Sequence, residues 1–546
     1  MENVFIVKSS AVFDGIQEKP YEAAILVRNG KIEKILSDET LEKEMEKGVP
    51  VHDYGNKMIM PSFVDAHTHM FTGAISASDY VCDTLGECKS EEECVQMILK
   101  FANNHKELKR IRGTGWFVGN WNDAPLPSKK SLDEAIPDRP VYLQCADSHS
   151  MWLNSKALEE AAIRPDETLE NGVIETDEKG ELTGMLIEPA AFEPAMRKYM
   201  EFSKEELLGI HRNFQEVLAQ NGIAVVSEMF ADDYSKDTYQ RYNIIKEMDE
   251  RGELNTQVFV YTELFGHTEF EPFFQMKEHF NSNHFHIAGV KGFIDGVTET
   301  YTGLLLEPYT DKPETCGENL PLWPQGRMQE EIIAANQAGI QVRLHCIADG
   351  SVRMALDMYE KAKEMTGRTD MRNTIEHIEN IHPDDIGRFA ELDVIPSMQP
   401  YHVTLSNGDK ILRIGAQRCR YEWPIRSILE KGGKIAIGTD YPVVTLNPFQ
   451  TIYAALTRCK ENGEEVCQNP WETLSLPTVL KAYTANAAWV YHAEEHMGTM
   501  EAGKDADFIV LDKNLFEIKP EEILNTRVIA NYFEGRLVWS ESSKEA

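Results

Sequence analysis

No stretch of this sequence reaches the ~18 consecutive apolar residues that a membrane-crossing helix requires. The opening "MENVFIVKSSAVFDG" has no basic segment leading into a long apolar core. Neither a membrane span nor a secretory leader is expected, and the reading is of a cytoplasmic protein. Basic residues are scarce: 55 Lys and Arg stand against 90 Asp and Glu, a formal net charge of -35. Such a field repels phosphate polyanions and anionic membrane surfaces, which argues against nucleic acid or a membrane as partner. Cysteines number nine in 546 residues, an odd count that fits reduced thiols better than a disulfide framework. Cys82, Cys88 and Cys94 recur every six residues, which is no zinc-finger spacing, and they read as small apolar residues.

What is present is material for a large core, with 42% hydrophobic residues, and a repeating order of short strands and helices. From residue 222 onward, "GIAVVSEM" (222–229), "QVFVYTEL" (257–264), "IAGVKGFI" (287–294), "IQVRLH" (340–345), "NTIEH" (373–377), "VIPSM" (394–398) and "IAIGTD" (435–440) are apolar strands that run into polar residues. Helix-like stretches separate them, and "SVRMALDMYEKAKEMTG" ends on Gly367 as a helix stop. The strand leading to His67 makes eight, so the expected fold is α/β, a (β/α)8 TIM barrel. The stretch between His69 and Gly222 far exceeds the ~2–6 residues of an ordinary βα loop. It is read as an insertion between barrel strands 1 and 2, over about residues 75–215 of a barrel spanning 58–490. Residues 1–57 and 491–546 read as short strands with turns that pair into a small composite β-sandwich domain.

In "PSFVDAHTHM" (61–70), His67 and His69 lie two apart on a strand and therefore project from one face, which suits a shared metal ion. Lys291 lies in the fourth strand, while His345, His377 and Asp440 end the fifth, sixth and eighth. Any one of these alone reads as a hydrogen-bonded core residue. Together they gather at the C-terminal face where barrels keep their chemistry. Two rival motifs fail. Gly498-x4-Gly503-Lys504 has Asp505 where a phosphate loop needs Ser or Thr, and "DFIVLD" after it reads as a strand. His284 and His286 precede Lys291 at the entrance of its strand and so fall toward the opposite end of the barrel.

The linked series "PSFVDAHTH", "GVKGFIDG", "VRLHCIADG", "TIEHIENI", "AIGTDYPV", "YTANAAWVY" and "GTMEAGKDADFIVLD" resembles the metal-dependent amidohydrolase superfamily over nearly the whole chain. Within it, the sequence is most similar to amidohydrolase family 3, the branch of larger hydrolases akin to N-substituted formamide deformylases. The resemblance implies one divalent ion held by His67, His69 and Asp440 and a second held by His345 and His377. Lys291 would bridge them as an N6-carboxylated side chain, because an ammonium has no lone pair to offer a metal. Some relatives keep a single ion, so one or two per chain are expected, and imidazole with carboxylate ligation suits zinc. Without that role, Lys291 would be a lysine paired with a carboxylate such as Asp295.

The implied activity is hydrolysis of a non-peptide C–N bond in a small-molecule amide, N-acyl or N-formyl substrate, with Asp440 as the proton-carrying catalytic residue. His402, just beyond the seventh strand, is the candidate for a polar substrate contact or extra proton donor. His149, Trp116 and Trp152 in the insertion resemble segments that overhang the site in relatives, the alternative being that the tryptophans form the insertion's own core. A deaminase of the same superfamily is one competing function, though those relatives generally lack the bridging lysine. A non-catalytic barrel scaffold is another, though such proteins lose ligands that this chain retains. A homodimer stays open.

Overall fold

Eight short segments that are apolar on both faces cannot all be covered by water-facing loops, and the chain resolves this by closing them on one another. The computed structural model describes residues 4–118, 121, 125–146, 150–166, 169, 172–231, 236–317, 321, 324–405, 409–467 and 469–541. Its barrel strands are β1 (Phe63–Val64), β2 (Ile223–Ala231), β3 (Gln257–Glu263), β4 (Phe285–Phe293), β5 (Gln341–Cys346), β6 (Thr374–His377), β7 (Ile395–Met398) and β8 (Ala436–Ile437). They pair in that order, every ladder parallel. The ring closes where Ala66 donates to the Ile437 carbonyl (3.1 Å) and Asp440 N–H to the His67 carbonyl (2.7 Å). The result is a TIM-like barrel. Helix Asp349–Thr366, between β5 and β6, ends at Gly367 in the left-handed region (φ 67°), where a residue without Cβ is unstrained.

The two chain ends meet in a second sheet of eight strands. Its order is Arg536–Ser540, Val528–Phe533, Phe508–Leu511, Met58–Pro61, Val4–Val12, Tyr21–Arg28 and Lys31–Leu36, with Val51–Asp53 added beside Val4–Val12. Met58–Pro61 therefore belongs to this sheet, antiparallel to Phe508–Leu511, and only Phe63–Val64 enters the barrel. Between the two strands, Ser62 donates its N–H to the Asp507 carbonyl (3.1 Å).

Residues 72–214 form a compact unit of their own. Six strands pair in the order Val173–Thr176, Leu182–Ile187, Ser150–Leu153, Val141–Cys145, Ile111–Trp116 and Val81–Cys82. Trp116 and Trp152 are buried in its core with Leu85, Ile98, Leu132 and Leu143. The two indoles meet edge to face at 5.9 Å, and Trp116 Nε1 donates to the Leu143 carbonyl at 3.1 Å. Of the two alternatives, a lid or the insertion's own core, the burial of both rings favours the core. His149 lies outside the described residues. Among the described residues no helix is long and apolar enough to cross a membrane.

Candidate metal centre

The C-terminal ends of β1 and β8 are tied together by a single carboxylate. Asp65 accepts from the N–H groups of His67 (3.1 Å) and Thr439 (2.9 Å) with Oδ1, and from the Thr439 hydroxyl (2.7 Å) with Oδ2. Burial raises its carboxyl to about 7. Between these strand ends the backbones pass so closely that a Cβ on Gly438 would lie 2.4 Å from the His67 nitrogen, which only glycine permits.

Around Asp440 the imidazoles converge. Its Oδ1 lies 3.4 Å from His67 Nε2 and 3.1 Å from His69 Nε2, and its Oδ2 lies 3.8 Å from His377 Nδ1 and 3.3 Å from His402 Nε2. One ligand atom each of His67, His377 and Asp440 falls within 4.8 Å of the others. His377 and Asp440 both occupy the left-handed region (φ 73° and 64°), a conformation that costs a non-glycine residue about 1–3 kcal/mol and concentrates at functional sites. The His69 side chain is 26% exposed against 1% for His67.

The tautomers are fixed from behind. His67 Nδ1 lies 2.6 Å from Glu376 Oε2, and His377 Nδ1 lies 2.9 Å from Gln399 Oε1, so both Nδ1 atoms donate and both Nε2 atoms keep their lone pairs. Glu376 is held in turn by Arg343 (Nε to Oε1, 2.8 Å), whose guanidinium also reaches the Ala66 carbonyl (2.7 Å) and lies over the Tyr261 ring. Burial would raise the Glu376 carboxyl, but Arg343 and His67 overcome it and hold it well below the usual carboxylate range. Burial and the Lys291 charge push the His67 imidazolium down to about 4, so the ring is neutral at pH 7.

Lys291 is buried with no hydrogen-bond partner among the described residues, its Nζ 5.1 Å from the Phe293 ring centre. Burial lowers its ammonium to about 8. It does not pair with Asp295, which instead accepts backbone N–H bonds from Leu304, Ile347 and Ala348. The His345 ring packs on His377 at 4.5 Å and on Phe293 at 5.0 Å, with Nε2 3.3 Å from the Gly296 carbonyl. That contact makes Nε2 the donor and leaves Nδ1 with its lone pair.

A divalent ion fits this donor set. Among the described residues His67 Nε2 and Asp440 Oδ1 are buried with no hydrogen bond, as is Lys291 Nζ. Orphaned buried polar atoms are costly, and a cation would satisfy the first two. The cavity of about 710 Å³ lined by Gln257, His286, Tyr491 and His496 includes none of these residues, so its size does not locate the chemistry. The amidohydrolase family model matches residues 51–539.

The chain belongs to the amidohydrolase family.

Among its relatives is LONG AFTER FAR-RED 3 of Arabidopsis thaliana, 28% identical over 98% of this chain and 91% of that one. N-substituted formamide deformylase of Arthrobacter pascens is 24% identical over 94% of each chain. A metal-dependent hydrolase of Pyrococcus furiosus, described as uncharacterized, superposes with a TM-score of 0.76 at 26% identity, covering 95% of this chain and 100% of that one. As an amidohydrolase, the protein carries the metal-dependent hydrolase fold with a His/His/Asp cluster at the family's strand ends. The residues that sequence reasoning left out are Asp65, Glu376, Arg343 and Gln399. Only Asp65 left a trace, as the acid just before the two histidines.

Proposed function

We propose that the protein hydrolyses a non-peptide C–N bond, of amide, N-acyl or N-formyl type, in a small-molecule substrate. The observation that carries this is the buried Asp440 carboxylate ringed by His67, His69, His377 and His402. His67, His69, His345, His377 and Asp440 would hold one or two divalent ions, with zinc the best match to the ligand chemistry. Such an ion, when bound, acidifies water and polarises a carbonyl. The chain's own residues do the rest. Asp440 accepts a proton from the water that attacks the carbonyl carbon and passes it to the nitrogen as the C–N bond breaks, giving an acid and an amine. His402 is placed to contact the reacting group beside Asp440. Glu376 and Gln399 hold the imidazoles in the ligating tautomer.

Lys291 supports a bridging role through its neutral form. An amine titrating near 8 presents a lone pair that can add to carbon dioxide, releasing a proton and leaving a carbamate with two anionic oxygens. The name of the Arthrobacter relative puts formamides first in the search. The test is a panel of N-formyl, N-acetyl and N-acyl-amino-acid substrates on zinc- or manganese-loaded protein whose metal content has been measured. No hydrolysis by metal-replete protein would reject the reading. Lys291→Ala should lose activity and regain part of it in high concentrations of formate or acetate. Full activity of Lys291→Arg would exclude the bridge.

A further inference from the structure

Lys410 is 2% exposed, in the first turn of helix Asp409–Cys419, and nothing in the proposed chemistry above uses it. Burying an ammonium is expensive unless it is paired. Its Nζ donates to Glu379 Oε2 at 2.6 Å and sits 4.1 Å above the Trp423 ring. Burial would push the ammonium down, but Glu379, Glu299 and Glu422 outweigh it and raise it, so the lysine is charged. Glu379 follows His377 by two residues, and its backbone is pinned where Trp423 N–H donates to its carbonyl (3.1 Å).

The other oxygen of Glu379 faces His402, with Oε1 4.0 Å from Nδ1. That is too long for a hydrogen bond, although a carboxylate free to move closes on an imidazole N–H to ~2.7–2.9 Å. On the far side of the same ring, Nε2 is 3.3 Å from Asp440 Oδ2. Neither ring nitrogen has a hydrogen-bond partner among the described residues. The ring lies parallel to that of His377, at 5.8 Å and 7°, which fixes its plane. Its position within that plane is contested by two carboxylates.

We propose that Lys410 is a positioning residue that tethers Glu379 away from His402, so that the imidazole stays turned toward Asp440 and the reacting group. This rests on the hydrolase reading above. Without the tether, Glu379 closes on Nδ1 and draws Nε2 away from Asp440.

Zinc-loaded full-length variants test this. Lys410→Met should lower kcat ~10–100-fold, the usual effect of a residue that orients a site group, with KM within about twofold and zinc content unchanged. Lys410→Arg should restore most of the rate. The telling variant is the double change Lys410→Met with Glu379→Gln, which removes both tether and pull and should run faster than Lys410→Met alone. A double variant as slow as the single one, or a Lys410→Met enzyme at full kcat, overturns the proposal. If Lys410→Met does not fold, Glu379→Gln with Lys410→Met, which removes both charges of the pair together, is compared with wild type. A rate within threefold supports the tether, and a larger loss overturns it. A crystal structure of zinc-loaded Lys410→Met, or of Lys410→Ala, reads the effect without turnover, as a longer Nε2–Oδ2 separation and a shorter Nδ1–Oε1 one. Unchanged separations overturn the tether even if the wild type proves to hydrolyse nothing, an outcome that would reject the hydrolase reading alone.

Discussion

Replacing Asp440 by Asn leaves the shape at the end of β8 almost intact and removes its capacity to accept a proton near neutral pH. The rate constant should fall by ~10²–10⁴, the worth of a positioned general base, while elemental analysis finds the metal retained by the histidines. Near-normal turnover would move the proton to His402. Glu376→Gln acts one residue further back, because it strips His67 Nδ1 and Arg343 of one shared anion. Metal affinity should weaken ~10–100-fold in a chelator competition, and unfolding should come earlier, since breaking a buried ion pair costs ~3–5 kcal/mol. Asp440, His67 and His377 are legible because each closes an apolar strand on a polar residue. Glu376 and Arg343 lie inside such strands, in "TIEH" and "QVRLH". A parallel barrel strand is buried on both faces, so the alternation that would mark an inward-facing charge is missing.

At the scale of the element, the strands themselves were the plainest signal, since all eight barrel strands fall within a few residues of the apolar runs that announce them. What the sequence could not convey is which sheet a strand joins. Met58–Pro61 and Phe63–Val64 share one apolar run, and the partner of the first is Phe508–Leu511, which no local pattern links to it. The tryptophans of the insertion posed the same difficulty, because an aromatic side chain suits a lid and a core equally well. In the structure they pack on one another and on Trp121. Trp152→Ala should cost ~3–5 kcal/mol in urea unfolding followed by fluorescence of the insertion, with little change in KM. A raised KM with unaltered unfolding would return Trp152 to the substrate cleft.

At the scale of the molecule, one of the links between the barrel and the sheet made by the chain ends is an imidazole. His284, ahead of β4, lies between Asp249 (2.6 Å) and Glu534 (3.1 Å). Burial opposes its charge, but the two carboxylates outweigh burial and raise the imidazolium from 6.5 to about 9. A raised folded value gives stability that is fully present below pH 6.5 and is lost as pH rises through about 9. For Asp249, burial is likewise outweighed by His284, and the carboxyl falls from 3.8 to about 2, so its share is present above pH 3.8 and disappears as pH falls through about 2. Melting temperature followed against pH should therefore decline between pH 6.5 and 9 in the wild type more than in His284→Asn. Parallel curves would remove the pair from the account.

The sheet assembled from both chain ends also sets a timetable for synthesis. Met58–Pro61 leaves the ribosome early, yet its neighbour Phe508–Leu511 and the β8 segment that closes the ring come near the end. At ~5–20 residues per second, an apolar strand waits on the order of tens of seconds with one edge unpaired. During that interval the nascent chain is a client for whatever binds exposed strand edges. Slowing translation late in the message should therefore lower the soluble yield more than the same delay early in it.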